Sequence, residues 1–219
     1  GELALDGNIK DTSSIFPIVL SLSKKTYINK VLVCKESALK LANIPNLKIY
    51  CVKNLDEAIS FVKSNKKEEY LYKKEIFKYK TLNIDEETYY YDTNYMEDFQ
   101  DVIGQNIAKN AALISAAGNH NIIFEGSPGC GKSMISKRLK YIMTPMNLEE
   151  ILEKAKLQAL DYKEIDFLPI RAFRSPHHSS TKSSIFGGGS VNAKMGEIAL
   201  SNYGILFFDE LPHFSKSIL

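Results

Sequence analysis

Over the first sixty residues, short apolar runs alternate with stretches of helical period. Residues 1–5 and 8–10 flank Asp6-Gly7, a dipeptide that favours a hairpin turn. Residues 16–25 are predicted helical, 30–34 a buried strand, 37–42 a helix and 47–52 a strand. Leu55–Lys63 is predicted to be a helix capped by Asn54. Strand and helix in turn imply parallel pairing in an α/β unit. Residues 64–98 show no sustained period. Lys66-Lys67-Glu68-Glu69 and Asp85-Glu86-Glu87 are charge runs around Tyr89-Tyr90-Tyr91. The stretch reads as a linker with one helix over 68–78. Its tyrosines could stack on single-stranded bases, but packing on a neighbouring domain is the favoured reading.

From Phe99 a second α/β pattern begins. Residues 105–117 are predicted helical, with Ile107, Ala111, Leu113 and Ile114 available for one face. Gly118-Asn119 ends that helix. Residues 121–124 are predicted to be a short strand, then come a glycine loop and a helix over 132–143. Another helix is predicted at Leu148–Leu160. Residues 162–196 read as loops around Gly187-Gly188-Gly189-Ser190. Gly204 precedes an apolar strand over 205–208.

Composition adds little. The chain of 219 residues is 44% hydrophobic and 25% charged, with net charge +2. These values suit a globular protein and neither require nor exclude nucleic acid. No apolar run approaches the ~20 residues of a membrane span. The N-terminus has no signal-peptide pattern and starts in a strand-like alternation, so the chain is expected to begin inside a domain. Cys34, Cys51 and Cys130 are odd in number and widely spaced, which fits reduced thiols in the cytoplasm.

Gly126-Ser127-Pro128-Gly129-Cys130-Gly131-Lys132-Ser133 matches G-x-x-x-x-G-K-[ST] without a gap. Its glycines let backbone N–H groups form an anion nest, and the following helix points its positive end at the same phosphates. Lys132 is expected to reach the β- and γ-phosphates of ATP, and Ser133 to ligate Mg²⁺. Asp209-Glu210 ends the apolar strand, at the carboxyl edge where open α/β sheets bind ligands. Asp209 is expected to hold Mg²⁺ and Glu210 to orient the attacking water. The paired His177-His178 could bind metal. Adjacent residues converge poorly on one ion and no third ligand is near in sequence, so a loop-positioning role is preferred.

The motifs together resemble one family. They are Asp98-Phe99 to Ala117, Gly118-Asn119-His120-Asn121, the glycine loop, and Arg171-Ala172-Phe173-Arg174-Ser175-Pro176-His177-His178. Gly187-Gly188-Gly189, Gly196-Glu197-Ile198-Ala199-Leu200 and Leu206-Phe207-Phe208-Asp209-Glu210-Leu211-Pro212 complete the set. The chain is similar over residues 98–219 to the ComM/YifB family of magnesium-chelatase-like AAA+ ATPases. The resemblance implies an AAA+ core with a parallel sheet, acting in a ring, expected to be a homo-hexamer. It also implies DNA branch migration during natural transformation, with a magnesium-chelatase-type protein remodeller and a hydrolysis-dead nucleotide-binding fragment as alternatives. Residues 1–63 resemble part of the Lon-protease-like domain of that family, but residues 13–18 lack the lysine expected for peptidase chemistry. The segment over 182–194 resembles a pore-facing insertion that could touch a DNA backbone, or a plain surface hairpin. In the family, sensor residues, an arginine finger and a helical lid follow the acidic strand, so the chain is expected to be a fragment or a truncated gene product. On that reading it binds ATP and hydrolyses it negligibly.

Overall fold

A computed structural model describes residues 1–25, 27–73, 78–189 and 193–219. The chain divides into two compact units, residues 1–78 with 158–166, and residues 79–157 with 167–219.

In the first unit, β1 (Glu2–Leu3) and β2 (Ile9–Lys10) pair antiparallel around Asp6-Gly7. Gly7 sits at φ +82°, a conformation that glycine adopts without a Cβ penalty. Helix α1 (Ile15–Ser23) buries Phe16, Pro17, Val19 and Leu20. Strands β3 (Lys30–Val33) and β4 (Lys48–Cys51) run parallel, from Lys30 opposite Lys48 to Val33 opposite Cys51. Helix α2 (Lys35–Leu41) crosses between them and buries Ser37, Ala38 and Leu41. Asn54 caps α3 (Leu55–Lys63), its side chain accepting from the Glu57 N–H at 2.9 Å.

The helix expected over 68–78 is not formed as such. Lys67–Tyr70 makes one 3₁₀ turn, and Leu71 bridges antiparallel to Tyr50. Residues 74–77 lie outside the described residues.

The second unit opens with a β-hairpin where the sequence suggested no regular structure. Strands β5 (Lys80–Ile84) and β6 (Glu87–Tyr91) pair antiparallel. Asp85 and Glu86 join them at φ +51° and +70°, the backbone of a tight hairpin turn. The tyrosine cluster is thus a strand, and Tyr90 pairs with Met146 of β7 (Met146–Asn147).

Helix α4 (Asn106–Gly118) buries Ala112, Ser115 and Ala116. Its large residues Ile107, Leu113 and Ile114 are exposed, Ile107 by 88%, so the expected apolar face is rotated away from the core. The reason lies in its neighbour α5 (Lys132–Ile142), which brings Ile135 and Leu139 against Val102, Ala112 and Ala116. Small side chains on α4 let the two helices approach closely.

Helix α6 (Leu148–Leu160) follows β7. Strands β8 (Phe173–Arg174) and β9 (Ile205–Leu206) run parallel, with Phe207 N–H donating to Arg174 at 2.8 Å. Gly204 lets β9 start close to its partner, since a Cβ there would lie 2.2 Å from the Ala172 carbonyl oxygen. Between the strands lie α7 (Lys182–Phe186) and α8 (Glu197–Leu200). Gly188 and Lys194 bridge antiparallel below α7, and residues 190–192 lie outside the described residues.

The strand expected over 121–124 is absent. Among the described residues, residues 121–125 make no backbone hydrogen bond. A strand exists only through a partner's ladder, and the apolar run has none here. The result is a mixed α/β fold with small parallel sheets, consistent with an AAA+-like core in place of one continuous sheet.

Candidate functional site

The glycine loop runs from Gly126 to Gly131, and α5 begins at Lys132. Gly129 and Gly131 take φ +79° and +90°, left-handed conformations of the kind from which anion-binding nests are built. At Gly126 a Cβ would lie 2.9 Å from the Cys130 sulfur, so the loop closes tightly there. The first turn of α5 carries no acidic residue, which leaves its positive end available to an anion. Ser127 and Pro128 are exposed, and Cys130 is half-buried.

Lys132 folds back over this loop. Its Nζ donates to the carbonyls of Gly126 at 2.7 Å and Ser127 at 2.9 Å, and approaches the Cys130 sulfur at 3.6 Å. A phosphate entering the nest would exchange these neutral acceptors for charged ones, which form stronger bonds.

Ser133 Oγ donates to Asp209 Oδ2 at 3.0 Å, joining residues 76 apart in sequence. Adjacent oxygens around an octahedral Mg²⁺ with bonds of 2.0–2.1 Å lie about 2.9 Å apart. The pair therefore offers hard oxygen donors at a spacing that suits magnesium. Between the loop and the acidic segment is a cavity of about 1060 Å³, lined by Gly126, Lys132, Ser133, Asp209 and Glu210 among others.

Glu210 turns elsewhere. It sits at φ +53°, ψ +50°, an uncommon conformation for a residue with a Cβ. Its carboxylate meets His213 Nδ1 at 3.1 Å. The two acids adjacent in sequence thus point to different partners, Asp209 to α5 and Glu210 to the turn that follows it.

The sequence singled out neither Gln105 nor His213. Gln105 Nε2 donates to the Cys130 carbonyl at 3.3 Å and braces the glycine loop from the start of α4. His213 stands three residues after Glu210, the spacing of one helical turn, and that spacing was the available signal.

The arginines are engaged within the fold. Arg171 is buried and donates to the carbonyls of Thr144 and Tyr203, each at 2.8 Å, with Glu150 3.3 Å away. Arg174 grips Glu197 with two bonds of 2.5 and 2.7 Å. Arg138 donates to the Asp98 carbonyl at 3.0 Å and lies 3.5 Å from Asp101.

Comparison with known proteins places this arrangement in a family. Residues 98–219 match the family described as magnesium chelatase, subunit ChlI. The chain belongs to this magnesium-chelatase-like family, which points to an AAA+ ATPase. It is 33% identical over its whole length to the competence protein ComM of Haemophilus influenzae, covering 41% of that protein. It is 44% identical over 124 residues to the uncharacterized protein YifB of Salmonella typhimurium, a stretch spanning 56% of this chain and 24% of YifB. The Escherichia coli YifB is 41% identical over 124 residues. The chain therefore spans about two-fifths of the length of ComM. Among the described residues, no helix is long and apolar enough to cross a membrane.

Proposed function

We propose that this chain binds Mg·ATP and forms the nucleotide-binding part of a ring-forming AAA+ motor that hydrolyses ATP. The observation that carries the reading is the Ser133–Asp209 hydrogen bond at 3.0 Å beside a glycine loop that opens a helix. In this reading the backbone N–H groups of the Gly126–Gly131 loop cradle the phosphates, Ser127 and Cys130 contributing along with the glycines while Pro128, which has no N–H, shapes the turn. Lys132 leaves the Gly126 and Ser127 carbonyls for the β- and γ-phosphates. Ser133 and Asp209 hold Mg²⁺, which neutralises charge on the phosphate oxygens. Glu210 orients the attacking water, after leaving His213.

The whole protein is proposed to be a cytoplasmic homo-hexamer that migrates branched DNA, with residues 1–63 belonging to a Lon-protease-like domain. The likeness to a competence protein along the whole chain supports the DNA reading. The family description favours a second reading, an ATP-driven protein remodeller of the magnesium-chelatase type. DNA-stimulated ATPase activity in a full-length protein separates the two.

Asp209→Asn tests the nucleotide site directly. The variant should bind ATP roughly 10- to 150-fold more weakly than wild type when Mg²⁺ is present and equally well in EDTA, since a charged ligand contact is worth about 1.5–3 kcal/mol. Identical calorimetric titrations in Mg²⁺ would remove Asp209 from the site.

A further inference from the structure

The histidine pair, unassigned by sequence spacing, acquires a third donor in the fold. His178 lies in the loop after β8, while Glu210 precedes and His213 ends the 3₁₀ turn Leu211–His213 that follows β9. One donor atom from each of the three lies within 4.8 Å of the others. The ring of His177 lies against that of His178 with centroids 4.0 Å apart and planes tilted by 36°, and His177 Nδ1 is hydrogen-bonded to the Ser179 hydroxyl at 2.7 Å. His177 is thereby held as a backing for His178 and not as a ligand. The rings of His178 and His213 meet edge to face at 5.7 Å.

We propose that His178, Glu210 and His213 form a binding site for a divalent transition-metal ion, with zinc as the occupant. Two imidazoles and one carboxylate are a donor set that zinc accepts with its fourth position left open. Tetrahedral ligands at about 2.0–2.1 Å lie roughly 3.4 Å apart. The Glu210–His213 pair is already at 3.1 Å. The remaining gap closes by rotamer changes, which exposed side chains make freely: Glu210 and His213 are each 64% exposed. Magnesium suits this site poorly because imidazole is a softer donor than oxygen. The chain thus presents two sites of different hardness back to back, with Asp209 serving the oxygen site and Glu210 the nitrogen-rich one. An ion here engages the Glu210 carboxylate; that this withdraws it from hydrolysis rests on the role proposed for Glu210 above, whereas the metal site itself does not.

The test uses the 219-residue chain without nucleotide, titrated with Zn²⁺ by calorimetry and with Co²⁺ by visible absorption. One equivalent of each ion should bind. His178→Ala and His213→Ala should each lower the affinity about a hundredfold or more, because even residues behind a ligand are worth 10–100-fold. Asp209→Asn should keep wild-type zinc affinity, so the outcome is independent of the nucleotide site. Far-UV circular dichroism confirms that the variants fold, and His213→Gln provides a second, more conservative loss of the ligand. Zinc binding undiminished in either alanine variant overturns the proposal. So does an intense near-ultraviolet thiolate band in the Co²⁺ complex, which would assign the ion to Cys34, Cys51 or Cys130.

Discussion

Between Phe16 and Val52, twelve hydrophobic side chains are buried, and Phe16, Ala38, Leu41, Ile44 and Ile49 have no exposed surface. Between Asn119 and Ser133 no residue is buried. The first stretch is held by apolar packing that its own sequence supplies. In the second, the N–H groups of residues 121–129 donate to no backbone carbonyl among the described residues, and the stretch is anchored at its ends, by α4 on one side and by Ile135 and Leu139 of α5 on the other. A segment whose N–H groups must meet a ligand cannot also use them within the fold. Its stability is accordingly expected to come in part from the nucleotide, by mass action on the bound state.

The largest expected effect is kinetic and falls on the exposed stretch. In a full-length protein that turns ATP over, Glu210→Gln should bind ATP normally and slow turnover by about 10²–10⁴-fold, the range for loss of a positioned general base. Single-turnover rates provide the measurement, and a wild-type rate would leave Glu210 as a turn residue with a histidine partner.

Leu41→Ala probes the opposite region. Truncating a fully buried leucine costs about 2–5 kcal/mol, through lost transfer energy and the cavity left behind. Denaturant unfolding should register that loss while ATP affinity stays within about twofold. A large fall in ATP affinity would show that the two regions do not act separately.

Lys132→Ala is expected to be milder for stability and specific for ligand. Losing one charge-assisted phosphate contact removes about 1.5–3 kcal/mol, or roughly 10- to 150-fold in ATP affinity. Since Lys132 also ties the Gly126 and Ser127 carbonyls, the apo protein should become slightly less stable. Unchanged calorimetric affinity would dismiss the phosphate role.

The same contrast explains what could be read from the sequence. Helices α1, α2, α3, α5 and α6 and the parallel pair β3–β4 follow from apolar periodicity and from local signals such as the Asn54 cap, because burial and capping act over a few residues. Other features need partners far away in the chain. Residues 121–124 have the composition of a strand but no neighbour to pair with. Helix α4 offers two candidate faces, and the approach of α5 selects the one made of alanine and serine. The β5–β6 hairpin turns on Asp85-Glu86, which lacks the glycine that usually marks such a turn. At the candidate site, the glycine loop is local and legible. The 3.0 Å approach of Ser133 to Asp209 and the gathering of His178 with His213 are long-range facts that no spacing reveals.

The smallest expected effect returns to the packed unit and concerns acid. Asp11 accepts hydrogen bonds from the Ser37 hydroxyl at 2.5 Å and from the Lys40 ammonium, fastening α2 to the segment before α1. Burial pushes the Asp11 carboxyl up, but the bonds from Lys40 and Ser37 outweigh it and hold the group below its ordinary value. Its folded pKa is thus lower than its unfolded one, near 3.9. The stabilisation is therefore fully present above about pH 4 and is lost as pH falls through the folded value. Partial exposure and salt screening keep the contribution small, as for most ion pairs near a surface. Asp11→Asn should flatten the acid limb of the unfolding profile below about pH 4 and leave ATP binding at neutral pH unchanged. Lys40→Met should weaken the same pH dependence while Asp11 keeps its bond from Ser37. If neither substitution altered the slope of stability against pH in that window, the anchoring of α2 would be due to Leu41 and Ala38 alone, and the carboxylate would be a passenger on an apolar core.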